Sequence, residues 1–120
     1  MKISELRLGN WVDQPNDGVT RVTSILNDIQ IRTETGHIDK YCRPIPLTEE
    51  WFLKFGFDEI IVEGYPIYQS DKGFMVEYYK DESVFLILDF EVRIKYVHQL
   101  QNLYFTLTGE ELEINGINNK

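Results

Sequence analysis

The sequence predicts an α+β fold: a β-rich N-terminal unit, a short helix, then an antiparallel sheet packed by a C-terminal helix. Three observations carry this expectation. Turn residues punctuate residues 1–46 at short intervals. A segment near the C-terminus sets its apolar residues at helical spacing. Between them, the two prolines of Arg43-Pro44-Ile45-Pro46-Leu47 form a seam that holds an extended path. A chain of 120 residues, 42% hydrophobic and 13% aromatic, can fill one core. Residues 1–120 are therefore expected to be a single domain, with a β-rich unit (1–46) and an α+β unit (47–120).

In the first unit, Asn10–Gln14 is the first expected strand, and Pro15-Asn16-Asp17-Gly18 turns the chain. Val19–Leu26, rich in Val, Thr and Ile, is the second. Asn27-Asp28 marks the next turn, and Ile29 and Ile31 share one face of a third strand. Thr35-Gly36 turns again, leaving His37–Cys42 as a fourth. Short strands joined by tight turns suggest a small SH3-like barrel or a curled meander, and the pattern leaves both open.

After the seam, Thr48 stands where an N-cap is needed, with Glu49 and Glu50 in the first turn. Leu47 and Phe52 have the spacing of a hydrophobic staple, and Gly56 supplies a left-handed end. The expected helix, Glu49–Phe55, must cover Trp51, Phe52 and Phe55 against a sheet, because it is too short to stand alone. Strands are expected at Glu59–Val62, Ile67–Gln69 and Gly73–Tyr79. From Val84 to Tyr96 the apolar residues keep one parity, which as one strand would reach about 43 Å at roughly 3.3 Å per residue. That length calls for a turn or bulge near Asp89-Phe90-Glu91 and two strands in sequence. Val97, Leu100, Leu103, Tyr104 and Leu107 then form one helical stripe, ended by Gly109. Glu111–Ile114 is expected as a closing strand and Asn115–Lys120 as a frayed tail.

Composition narrows the function classes. The longest apolar run, Val84–Leu88, is far short of the roughly twenty residues that cross a bilayer, and Met1–Arg7 lacks the apolar core of a secretory leader. The single cysteine, Cys42, fits a reducing compartment, so a cytoplasmic location is expected, with no membrane partner. The net charge is −8, and it is not spread evenly. Residues 1–46 balance six bases against six acids, whereas residues 47–120 carry six bases and fourteen acids. A phosphate backbone is held by a cationic face, so duplex nucleic acid is not an expected partner.

Catalytic and metal patterns are missing: the sequence contains no P-loop, GxGxxG, CxxC, HExxH or GxSxG. His37 and His98 fall on different elements without a ligand at metal spacing. Cys42 reads as a small buried hydrophobe rather than an activated thiolate. The pairs Asp58-Glu59, Asp81-Glu82 and Glu110-Glu111 are adjacent, so their side chains diverge and do not form facing carboxylates. No catalytic residue, cofactor or metal site is expected.

One composition does suggest contact with another protein. On the final helix Phe105 points about 140° from the apolar stripe, on the side of His98, Gln101 and Asn102. An aromatic framed by amides has the make-up of a contact patch, so His98, Gln101, Asn102 and Phe105 are the candidate protein-contact residues. The alternative is that Leu112 or Ile114 folds back over Phe105. Seven tyrosines, among them Tyr65, Tyr68, Tyr78 and Tyr79, fit either interfaces or strands.

Three segments carry a resemblance: Leu6-Arg7-Leu8-Gly9-Asn10-Trp11-Val12; Pro44-Ile45-Pro46-Leu47-Thr48-Glu49-Glu50-Trp51-Phe52-Leu53-Lys54-Phe55-Gly56-Phe57; and Lys95-Tyr96-Val97-His98-Gln99-Leu100-Gln101-Asn102-Leu103-Tyr104-Phe105, continuing through Thr108-Gly109-Glu110-Glu111-Leu112. Together they resemble a group of small uncharacterised proteins of Bacteroides-type gut bacteria and of their prophages and mobile elements. Residues 58–92 take no part in the match. The resemblance implies an accessory or phage-borne genomic setting and carries no functional residue over. The expected function is a non-catalytic binding or adaptor module, whose partner is an unidentified protein or a second copy. A phage-type inhibitor that shows its acids to a host nucleic-acid-binding protein is the alternative. A small enzyme whose site the fold assembles is the third reading.

Overall fold

Strands too short to stand alone pair with their sequence neighbours, and here they do so twice, giving two antiparallel meanders. The computed structural model describes residues 3–27, 30–39, 42–79, 84–87 and 92–114. The chain divides into two units, Met1–Pro46 with Tyr96–Asn102, and Leu47–Lys95 with Leu103–Lys120.

The first unit holds a short 3₁₀ turn, Ile3–Glu5, and strands β1 (Trp11–Gln14), β2 (Gly18–Asn27), β3 (Gln30–Thr33) and β4 (Ile38–Asp39). They lie in the order β1-β2-β3-β4. The turn between β1 and β2 puts Asn16 at φ 71 and Gly18 at φ 77, conformations that asparagine and glycine accept most readily. Register shifts in β2, between Val22 and Ser24 and between Ile25 and Asn27, are the bulges that curl a sheet. Past β4 the chain returns to β1, where Asp13 and Arg43 exchange backbone hydrogen bonds of 2.9 and 2.8 Å. The architecture is thus a four-stranded antiparallel meander. The SH3-like barrel is not found, because that contact is a single bridge and no ladder joins β4 to β1 among the described residues. The fourth strand is also shorter than expected: Cys42 lies outside it, buried among Ile3, Leu6, Val12, Val22 and Ile31. Asp28 and Ile29, assigned to a turn and a strand from sequence, fall outside the described residues.

The second unit begins at helix α1 (Glu49–Lys54), followed by β5 (Asp58–Val62), β6 (Tyr65–Gln69), β7 (Met75–Tyr79), β8 (Val84–Ile87) and β9 (Val92–Ile94) in one antiparallel sheet of that order. The long alternating segment is two strands, as its length demanded, with Phe85 opposite Ile94 and Ile87 opposite Val92. The turn expected at Asp89-Phe90-Glu91 lies outside the described residues. Helix α1 seats Phe52 among Tyr68, Phe85 and Phe57, with ring centroids 4.7, 4.9 and 5.3 Å away. Leu47 and Phe52 are both buried, as the staple requires, and Gly56 has φ 84. Thr48 departs from expectation. Its backbone is extended like an N-cap, but its side chain makes no capping bond. The closing strand also fails to form: residues 111–114 are irregular, although Leu112 and Ile114 are buried. Burial of alternate side chains does not require a ladder, and that is all the sequence pattern encoded. The tail at 115–120 lies outside the described residues.

Helix α2 (Val97–Thr108) serves both units: residues 97–102 belong to the first and 103–108 to the second.

Candidate protein-contact surface

The segment from Glu5 to Asn10 links the 3₁₀ turn to β1; Val22 of β2 accepts from the Gly9 amide at 2.8 Å and donates to the Asn10 carbonyl at 2.9 Å, and the backbone groups that β2 does not reach need partners from elsewhere. Within the first unit, the start of α2 supplies them. Gln101 Nε2 donates to the Gly9 carbonyl at 3.0 Å, and its Oε1 accepts from the Trp11 amide at 2.8 Å. Asn102 Nδ2 donates to the Glu5 carbonyl at 2.9 Å, while its Oδ1 accepts from Asn10 Nδ2 at 2.8 Å and Arg7 Nε at 3.0 Å. His98 Nε2 lies 3.3 Å from Glu5 Oε1. Gln101 and His98 are only 4% and 1% exposed, and Asn102 is half-buried.

These contacts take up two of the four candidate residues within the unit itself. His98 and Gln101 are interior, and their polar atoms face the chain's own N-terminal segment. Of the four candidates only Phe105, 39% exposed, is a surface residue. The core stripe of α2 shifts accordingly: Val97, His98, Leu100, Gln101 and Tyr104 are buried, while Leu107 is exposed. A helical wheel counts polar amides as outward-facing, but a buried loop backbone needs the hydrogen bonds they offer.

His98 carries a further mark. Beside a carboxylate, Nε2 holds the proton, which leaves Nδ1 a buried acceptor without a partner among the described residues. Burial pushes its pKa below the ordinary histidine value, and Glu5 opposes the shift only in part. His37 behaves oppositely. Its Nδ1 meets Asp17 Oδ2 at 2.6 Å on exposed turns, and that hydrogen bond raises its pKa.

In the second unit, a cleft of about 330 Å³ is lined by Leu47, Thr48, Glu49, Glu50, Tyr78 and Phe85. Nearby, the ring of Tyr68 is fully buried and its hydroxyl donates to Glu59 Oε2 at 2.7 Å. Desolvation, then the carboxylates of Glu59 and Glu49, push that phenol far above its ordinary pKa, so it acts as a fixed donor. Among the described residues no cluster of three or more His, Cys, Asp or Glu could hold a metal ion, and no helix is long and apolar enough to cross a membrane.

The surface that sequence reasoning missed is the hairpin β5–β6. Every residue of β5 is exposed, and Ile60, Ile61 and Val62 reach 39, 61 and 45%, with Tyr65 at 53% just across the turn. The signal was present: three consecutive β-branched residues lack the alternation of a half-buried strand. Nothing in the pattern, however, said that β5 would be an edge. No family model, curated protein or solved structure matches the chain.

Proposed function

We propose that the chain is a non-catalytic protein-binding module and that the exposed apolar hairpin β5–β6 is its binding surface. One observation carries this reading: an edge strand with all five residues exposed displays Ile60, Ile61 and Val62 beside Tyr65. Apolar side chains exposed on an uncovered strand edge mark interaction sites. Phe105 on α2 is a second, smaller contact candidate. The excess of acids in residues 47–120 favours a protein over a nucleic acid as the partner.

The test is affinity capture from lysate of the producing cells, with wild type, Ile61→Lys and Phe105→Ser as baits of matched thermal stability. A protein captured by wild type in near-equal amount and lost with Ile61→Lys supports the hairpin. Identical captures by wild type and Ile61→Lys, or none by wild type, end this reading.

A further inference from the structure

The backbone of the β5–β6 hairpin reveals which atoms its edge offers. Glu63 and Gly64 have φ 52 and 86, so the hairpin closes through a two-residue turn with both central residues left-handed. Such a turn makes its flanking pair, Val62 with Tyr65, a hydrogen-bonded pair. Antiparallel pairs alternate, so Ile60–Ile67 and Asp58–Gln69 are hydrogen-bonded, whereas Ile61–Pro66 and Glu59–Tyr68 are not. Two facts agree with this phase. Pro66, which has no N–H, falls in a pair that needs none. On the other side of β6, the Ser70 amide donates to the Phe74 carbonyl at 2.9 Å, so even-numbered residues of β6 bond away from β5. The N–H and C=O groups of Ile61 and Glu59 therefore point out from the free edge, and among the described residues no strand pairs with them.

From this geometry we infer that β5 takes up an extended segment of a partner protein as a sixth strand, one with an apolar centre and a basic residue on each side. The inference rests on the reading of the hairpin as the binding surface and specifies how it binds. Main-chain bonds to Ile61 and Glu59 fix the segment, and its alternate side chains lie beside Ile60, Val62 and Tyr65 on one face or Ile61 on the other. Charge selects the occupant. Asp58 and Glu63 flank the apolar triplet, Glu59 adds a third acid, and residues 58–65 contain no base. A second copy docking edge to edge would line up six carboxylates along one seam, and setting Ile61 against Ile61 would put Glu59 opposite Glu63 twice. Facing like charges destabilise a strand pair. A segment with Lys or Arg at both ends meets the same acids favourably. Asp58 opens β5 and Glu63 stands in the turn just past its other end, five residues on, so the two bases should lie one at each end of the segment.

The experiment is fluorescence anisotropy of the full chain with three labelled ten-residue peptides. The first has alternating Val and Thr between two Lys five positions apart, the second has Glu in place of Lys, and the third keeps Lys but has a central Pro. The Lys peptide should bind about tenfold or more tighter than either other peptide, with the charge preference shrinking at high salt. Ile61→Pro removes an outward N–H without touching the β5–β6 ladder, so it should abolish binding while leaving the thermal midpoint in place. Should that variant unfold, Asp58→Lys with Glu63→Lys reverses only exposed charges and should make the Glu peptide the preferred one. Equal affinity for all three peptides, or no binding at millimolar peptide, overturns strand addition. A concentration-dependent dimer lost in Ile61→Pro would assign the edge to a second copy and overturn it too. Partner capture lost with Ile61→Lys but kept with Ile61→Pro would leave the binding module standing and remove this mode of binding.

Discussion

Gln101 shows how much one amide can decide. It pairs the Trp11 amide and the Gly9 carbonyl. Gln101→Leu fills similar space but leaves both unpaired, which should cost about 2–4 kcal/mol in urea denaturation, at about 1–3 kcal/mol per buried group. A change within about 0.5 kcal/mol, as at an ordinary surface position, would mean water replaces the amide. His98 gives the same interior a pH dependence. Its folded pKa is depressed by burial, so above the unfolded value of about 6.5 both states are neutral and its contribution is complete. As pH falls below that value the unfolded chain takes up a proton that the folded one refuses, and stability declines. His37 has the opposite sign: its raised pKa gives stability at low pH that is lost as pH rises through the folded value. In a His37→Gln background, the denaturation midpoint should therefore drop between pH 7 and 5, and adding His98→Leu should flatten that drop. Neither role could be read from spacing on α2, because the segment that buries His98 and Gln101 lies some ninety residues earlier in the chain.

Among the elements, α1 separates what its sequence signals from what holds it. Thr48, Glu49 and Glu50 read as a helix start, yet the Thr48 hydroxyl makes no cap bond. Thr48→Ala should accordingly cost less than about 0.5 kcal/mol, against about 1 kcal/mol for a working cap. Phe52→Ala should cost about 3–5 kcal/mol, because it empties the centre of four packed rings. Thermal unfolding of both variants checks the contrast, and the reverse order would show that capping rather than packing holds the helix. A six-residue helix has little stability of its own, so its existence depends on Tyr68 and Phe85, which the sheet brings beneath it. Strand β5 is the converse case. Its residue types identify a strand, but only its place at the end of the sheet order makes its outer backbone groups available.

At the scale of the molecule, α2 gives six residues to each unit. Neither half is long enough to remain helical without the other, since nucleating a helix is costly. Loss of either unit should therefore fray the helix that the other one uses. Urea unfolding followed by tryptophan fluorescence and by far-UV circular dichroism should give one coincident transition, with Trp11 reporting on the first unit and Trp51 on the second. Two separated transitions would show that the units are independent and that half of α2 can survive alone.

The sequence by itself determined the class of fold and most of its elements. β1, β2, α1, β5, β6, β7 and α2 follow from turn residues, β-branched runs and one 3.6-residue period, all of which act over a few neighbouring residues. It also determined that the long alternating segment must fold as two strands, because length is a local quantity. Tertiary structure alone decided what depends on distant partners. It left the meander unclosed among the described residues, where Arg43 meets Asp13 in an isolated bridge. It drew His98 and Gln101 inside, because the loop before β1 had unpaired backbone groups to satisfy. It kept Leu112 and Ile114 buried without a ladder and left Ile60, Ile61 and Val62 in solvent. A side chain's polarity fixes what kind of partner it needs, whereas only the packed chain fixes whether that partner is water, backbone or another protein.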